Sequence, residues 1–349
     1  MTLADVISGN VLKAAVAPQV WLSERLAPAI PAVARAALVS QAVLLMVTSP
    51  LYPQLGLSFA WETLVPKELW LVLLFGVWTH HQFVPDKGRI TILPDLFLAV
   101  FVLLLLTNIA SPAQYAAVAL ERPLIDRWLA AADATLGIHV PSLVGWTLAH
   151  PAVGVILKIC YFSLLPQFVC APLIAALVLR NRQRLWEYVF HFHFCLIVTV
   201  GVLAAFPAAC AFTYYGFEST LNQGRFIQQF NTLRDGSFAM IRFDNLEGLI
   251  SMPSFHAAGA MMVTWMVRGH LRWLVPVGLL NAGLLASTVL TGAHYFIDVL
   301  ASGVLFLASL GAYRFFECRF RLAEAADVGG DEAGTDQIDN HHLPNPINR

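Results

Sequence analysis

The residues of this chain best suited to chemistry lie in two short stretches near its C-terminus: Ser251-Met252-Pro253-Ser254-Phe255-His256 and Thr291-Gly292-Ala293-His294-Tyr295-Phe296-Ile297-Asp298. His294 and Asp298 are four residues apart, which on a helix places them on one face as direct neighbours. A carboxylate accepting from one imidazole nitrogen fixes the tautomer and leaves the other lone pair aimed outward. Such an imidazole can attack phosphorus and form a phosphohistidine, splitting one hard displacement into two easier ones. In the first stretch, Pro253 suits the opening turn of a helix, whose free N–H groups form an anion site. Ser254 adds a hydroxyl donor, and protonated His256 can give a proton to the oxygen leaving phosphorus. Thr291-Gly292 lets the backbone turn tightly and a ligand approach. A structural ion pair would account for His294 and Asp298 alone. Two histidines with complementary roles point instead to phosphoryl transfer.

The elements that must position these residues are membrane helices. The 349 residues are 58% apolar and 12% charged, with a mean hydropathy of +0.67, too little polar surface for a soluble globule. Eight apolar stretches of roughly spanning length stand out, at 36–56, 67–85, 91–111, 152–179, 186–208, 254–270, 273–291 and 294–316. Runs such as Leu98–Leu106 are continuously apolar, unlike the alternation of a barrel strand. The expected class is therefore an all-α integral membrane protein with about eight transmembrane helices, the first interrupted near Pro50 and Pro53.

Positive residues concentrate in short cytoplasmic loops. With a cytoplasmic N-terminus, thirteen fall inside (Lys13, Arg25, Arg35, Lys87, Arg89, Arg180, Arg182, Arg184, Arg268, Arg272, Arg314, Arg319, Arg321) and six outside (Lys67, Arg122, Arg127, Arg225, Arg234, Arg242). Both termini are then cytoplasmic and both motifs face the other side, which in a bacterial inner membrane is the periplasm. Residues 1–30 carry Leu3, Val6, Ile7, Val11 and Leu12 at helical spacing and are expected to form an interfacial helix. Residues 31–90 hold two additional spans, 91–320 a six-helix core, and 321–349 an acidic tail too poor in apolar residues to fold alone.

Several other features carry plainer readings. The five cysteines show no metal-ligand spacing, and a net charge of −1 gives no argument for nucleic acid. His191 and His193 are two apart and point to different sides of a helix. Tyr214-Tyr215 fits an aromatic interfacial belt, or lines substrate entry.

Pro253-Ser254-Phe255-His256 and His294-x-x-x-Asp298 resemble the motifs of the type-2 phosphatidic acid phosphatase superfamily, which also includes vanadium haloperoxidases. That resemblance implies a six-helix core, a nucleophilic His294 oriented by Asp298, and His256 as proton donor. No cofactor or metal is expected. The family commonly has Gly where Phe255 stands. It also has a phosphate-clamping arginine where this chain has Thr288, and a lysine six residues ahead of Arg-Pro, whereas Arg122-Pro123 has no such lysine. Ser287-Thr288-Val289-Leu290-Thr291-Gly292 leading into His294-Tyr295 looks more like the branch containing inositol phosphorylceramide synthases.

A cation should still neutralise the phosphate. The loop before Ser254 offers Arg225, Arg234 and Arg242, with Arg234 first because Arg234-Asp235-Gly236 reads as a tight turn. Lys158, inside a span, is a second candidate because an intramembrane lysine needs a partner or a wet cavity. The expected function is a metal-independent lipid phosphatase or phosphotransferase. Its substrate is a phospholipid or other lipid phosphate, with water or an alcohol as acceptor. The alternative is an inactive lipid-binding or transport module of the same fold.

Overall fold

The computed structural model describes residues 30–83, 92–217, 221, 223–238 and 240–335. The N-terminal segment expected to lie on the membrane is outside the described residues up to position 29, as are Lys87 and Arg89. In chain order the elements begin with α1 (Ala32–Thr48), α2 (Leu51–Gln54), β1 (Ser58–Phe59), α3 (Val65–Phe83) and α4 (Leu93–Ala119). Four helices follow: α5 (Asp126–Thr135), α6 (Val140–Ala149), α7 (Pro151–Phe162) and α8 (Leu164–Leu173), the last widening into a π-helical turn at Ile174–Val178. Then come α9 (Arg182–Ala205), α10 (Ala211–Tyr215), α11 (Gly224–Arg234), β2 (Met240–Ile241), α12 (Phe255–Met266), α13 (Leu271–Leu290) and α14 (Phe296–Thr335).

Helix is the form in which an apolar segment satisfies its own backbone groups without water. Proline punctuates the segments as the sequence suggests. The first one stops at Thr48 and restarts after Pro50, and α7 opens on Pro151, where a missing N–H costs nothing. Pro172 inside α8 removes a ladder donor immediately before the backbone loosens into the π turn.

Among the described residues, six segments are long and apolar enough to cross a membrane: Ala32–Gln54, Leu93–Ala119, Pro151–Val178, Arg182–Ala205, Leu271–Leu290 and Phe296–Arg319. The stretch 254–270 differs from expectation, because its helix α12 has only 12 residues, about 18 Å of rise. Ser254 caps it and a turn ends it at Val267, and its start lies beside the first turn of α14, where the Asp298 carbonyl meets the Ser254 N–H. The last helix runs on to Thr335, past residue 321 where an unfolded tail was expected. Ala323-Glu324-Ala325-Ala326 are strong helix formers that prolong a helix already nucleated in the apolar run.

The central helix is α9, which packs against α4, α12 and α14. Its two histidines do point apart: His193 pairs with Gln41 of α1 at 2.6 Å, and His191 with Ser309 of α14 at 3.1 Å. At the end of α12 remote from His256, Arg268 grips the buried Glu187 of α9 through both carboxylate oxygens at 2.7–2.8 Å. Gly259 lets α12 approach α8 closely, since a Cβ there would collide with the ring of Phe168. A two-strand parallel pairing, Ser58 with Met240 and Phe59 with Ile241, ties the N-terminal turn to the long loop before α12.

Candidate active site

The connection between α13 and α14 is five residues long and holds His294. Gly292 makes the turn at φ +81°, and a Cβ there would collide with the ring of Phe217. The glycine thus admits an aromatic ring, not a ligand as the sequence suggested. Gly292→Ala is expected to destabilise the fold by on the order of 3 kcal/mol, from positive φ and overpacking together. Thermal unfolding in detergent checks this.

His294 is not helical: α14 begins two residues later, and its adjacency to Asp298 arises from a capping turn. Asp298 Oδ2 accepts the Tyr295 N–H at 3.0 Å, the arrangement in which a side chain of the first turn reaches back to its own cap. The His294 N–H donates to the Thr288 carbonyl at 2.9 Å. Its ring Nδ1 lies 2.9 Å from the Ser251 carbonyl and 3.5 Å from Asp298 Oδ2. The shorter contact is to the carbonyl, an acceptor only, so Nδ1 carries the proton and Nε2 the lone pair. Orientation therefore comes first from a backbone group of the other motif, with the Asp298 carboxyl as the adjacent group.

The first motif is fastened to the second. The Ser254 N–H reaches the Asp298 carbonyl at 3.4 Å, and Ser302 Oγ lies 2.9 Å from the Ser254 carbonyl and 2.6 Å from that of Asp298. Ser254 is fully buried as the N-cap of α12, its Oγ accepting from the Ala257 N–H at 3.3 Å. Ser254 Oγ thus serves the cap as its acceptor, and Pro253, expected in the opening turn of the helix, precedes the cap. Phe255 packs its ring against Phe168 and Phe192, so only its backbone can meet a ligand. His256 stacks on Tyr161 of α7, with centroids 4.4 Å apart and planes at 21°. Its ring centroid is 6.0 Å from that of His294.

The candidate cations are not equivalent. Arg242 is bound to Asp244 at 2.9 Å, Arg225 to Glu247 at 3.1 Å, and Arg234 donates to the Arg122 carbonyl at 3.1 Å. Lys158 is exposed on α7, one turn before the Tyr161 that stacks on His256. Thr288, standing where the clamp was sought, bonds its hydroxyl to the Leu285 carbonyl at 2.7 Å and gives its own carbonyl to His294.

Two carboxylates of α5 escaped the sequence reading. Asp133, fully buried, accepts from the Phe296 and Ile297 N–H groups at 2.9 and 2.8 Å. Asp126 accepts from the Ala209 N–H at 2.9 Å and from the Tyr295 hydroxyl at 3.0 Å. Burial pushes both carboxyls above the usual range, and these hydrogen bonds pull part of the shift back. Their spacing of seven, on one face of a short helix, was the available signal.

A family model described as the PAP2 superfamily matches residues 127–312, more than half of the 349-residue chain. The chain belongs to the PAP2 superfamily. The match contains Tyr161, both motifs and most of α5, and so covers the whole constellation around His256 and His294. PAP2 members are in general phosphatases or phosphotransferases, and membership supports a lipid-related, phosphatase-like function at a membrane. No curated protein and no solved structure shows significant similarity to the chain.

Proposed function

We propose that this PAP2 protein cleaves or exchanges a lipid phosphoester through a phosphohistidine on His294. The observation that carries this reading is the facing pair of imidazoles, centroids 6.0 Å apart, one of them locked at Nδ1 by the Ser251 carbonyl. His294 Nε2 attacks phosphorus, the bond from phosphorus to the leaving oxygen breaks, and His256 gives that oxygen a proton. Water or an alcohol then attacks the phosphohistidine. His256 takes the proton of the incoming hydroxyl, the P–N bond breaks, and both histidines return to their starting states.

The two helix starts at the site differ in what they offer an anion. At α14 the N-terminal donors are already taken by Asp133 and Asp298, so an anion there meets carboxyl oxygens instead of free N–H groups. At α12 the cap takes only the Ala257 N–H, leaving Phe255 and His256 as first-turn donors without an intrahelical acceptor. The phosphate therefore sits on α12, and Lys158, one turn before the Tyr161 that stacks on His256, is the candidate cation to balance it, since Arg242 and Arg225 are paired with carboxylates and Arg234 is held by the Arg122 carbonyl.

A headgroup-transfer assay decides the acceptor. Purified protein is mixed with phosphatidic acid and several phosphodiester lipids, with and without alcohol acceptors, and the products are read by mass spectrometry. Phosphate release in water marks a phosphatase, and a new phosphodiester marks a transferase. No release or exchange from any lipid class, with identical results for His294→Ala, would overturn the enzymatic reading in favour of a binding module.

A further inference from the structure

We infer that Asp133 and Asp126 are positioning residues for the nucleophile, holding His294 through the backbone and ring that immediately follow it. This rests on the phosphohistidine reading above. Four consecutive N–H groups are fastened from outside their own helix ladder: His294 by the Thr288 carbonyl, Tyr295 by Asp298, and Phe296 and Ile297 by the two oxygens of Asp133. The ring of Tyr295, fully buried, is pinned at its far end, where its hydroxyl donates to Asp126 Oδ1. Asp126 in turn holds the Ala209 N–H with both oxygens, at 3.1 and 2.9 Å. The segment after α9 and the first turn of α14 thus share one anchor.

The helix that carries both carboxylates lies outside the membrane-crossing segments and buries a single face, Asp126, Leu129, Ala130 and Asp133. It acts as a clip over the start of α14. A role confined to stability would not need ionisable groups here, since burying a carboxylate is costly and an apolar contact would hold the helices together. What the carboxylates add is direction, because each oxygen fixes a specific donor. A shift of the first turn of α14 swings the imidazole of His294 away from the Ser251 carbonyl and misdirects Nε2 at phosphorus. Small misplacements of this kind are paid in rate more than in binding.

The test measures phosphohistidine formation in a single turnover, together with kcat, KM and thermal unfolding, using labelled phosphatidic acid in mixed micelles. Asp133→Asn keeps one acceptor and presents an amide N–H₂ to the other donor, and is expected to lower the formation rate and kcat by about 10- to 100-fold with KM nearly unchanged. Asp126→Ala removes the anchor of Tyr295 and should lose about tenfold, whereas Asp126→Asn still accepts from the hydroxyl and should stay within about threefold of wild type. Tyr295→Phe deletes one oxygen at constant ring packing. If the alanine and asparagine variants fail to fold, it carries the test alone, with about a threefold to tenfold fall expected. Folded Asp133→Asn and Tyr295→Phe proteins that form phosphohistidine at the wild-type rate would overturn the inference while leaving the nucleophile intact. Turnover by wild type without any phosphohistidine would remove the underlying reading, and this inference with it.

Discussion

Replacement of His294 by alanine is expected to abolish turnover, a loss of about four orders of magnitude or more, as when a covalent nucleophile is deleted. His294 is almost fully buried and held at two points, its N–H by Thr288 and its Nδ1 by Ser251. The only ring atom left for chemistry is Nε2, and no neighbouring side chain can substitute for it: His256 is held against Tyr161, and Asp298 is turned to the Tyr295 N–H. The variant should still fold, because the fastening of Tyr295, Phe296 and Ile297 does not involve the imidazole. Wild-type thermal unfolding with no turnover of phosphatidic acid is the expected pair of results.

The second large effect is at His256. Its alanine variant should form the intermediate about 10²- to 10⁴-fold more slowly when the leaving oxygen is that of an aliphatic alcohol, which needs a proton. The loss should shrink to a small factor for a nitrophenyl phosphate, whose leaving group departs as a stable anion. An equal loss for both substrates would contradict the role of proton donor. Wild-type activity should describe a bell against pH. The acid limb reports protonation of His294, which removes the attacking lone pair, and the alkaline limb reports loss of the His256 proton. With the rings 6.0 Å apart, the two apparent values belong to the pair. In His256→Ala with the nitrophenyl substrate, the alkaline limb should vanish and the acid limb remain.

Much of this arrangement is legible in the residue types. The apolar runs announce the helices, and a serine, two histidines and an aspartate in otherwise apolar surroundings announce the site. What escaped is mostly backbone. The Ser251 and Thr288 carbonyls that orient His294 have no signature in a sequence, because every residue has a carbonyl. The i to i+4 spacing of His294 and Asp298 suggested a helical face, and a capping turn produces the same neighbourhood with a different division of labour. Ser254 has the right type for a phosphate donor and the right type for an N-cap, and local geometry makes it the cap of α12. Asp126 and Asp133 sat on a short polar helix between spans, where a carboxylate is ordinary, and only the docking of that helix on α14 makes them unusual. Arg242 had the charge for a phosphate clamp but also a partner two residues away in Asp244, which claimed it.

A covalent bond between phosphorus and His294 is the centre of the proposed mechanism, and trapping it is the most direct test. Wild-type protein is mixed with excess labelled phosphatidic acid or labelled phosphodiester lipid, quenched in alkali within a turnover, digested, and mapped by mass spectrometry. The expected result is an acid-labile, alkali-stable label on the peptide containing His294, formed at a rate no slower than turnover and absent from His294→Ala. Turnover by wild type with no label on that peptide, or the same label on His294→Ala, would contradict it.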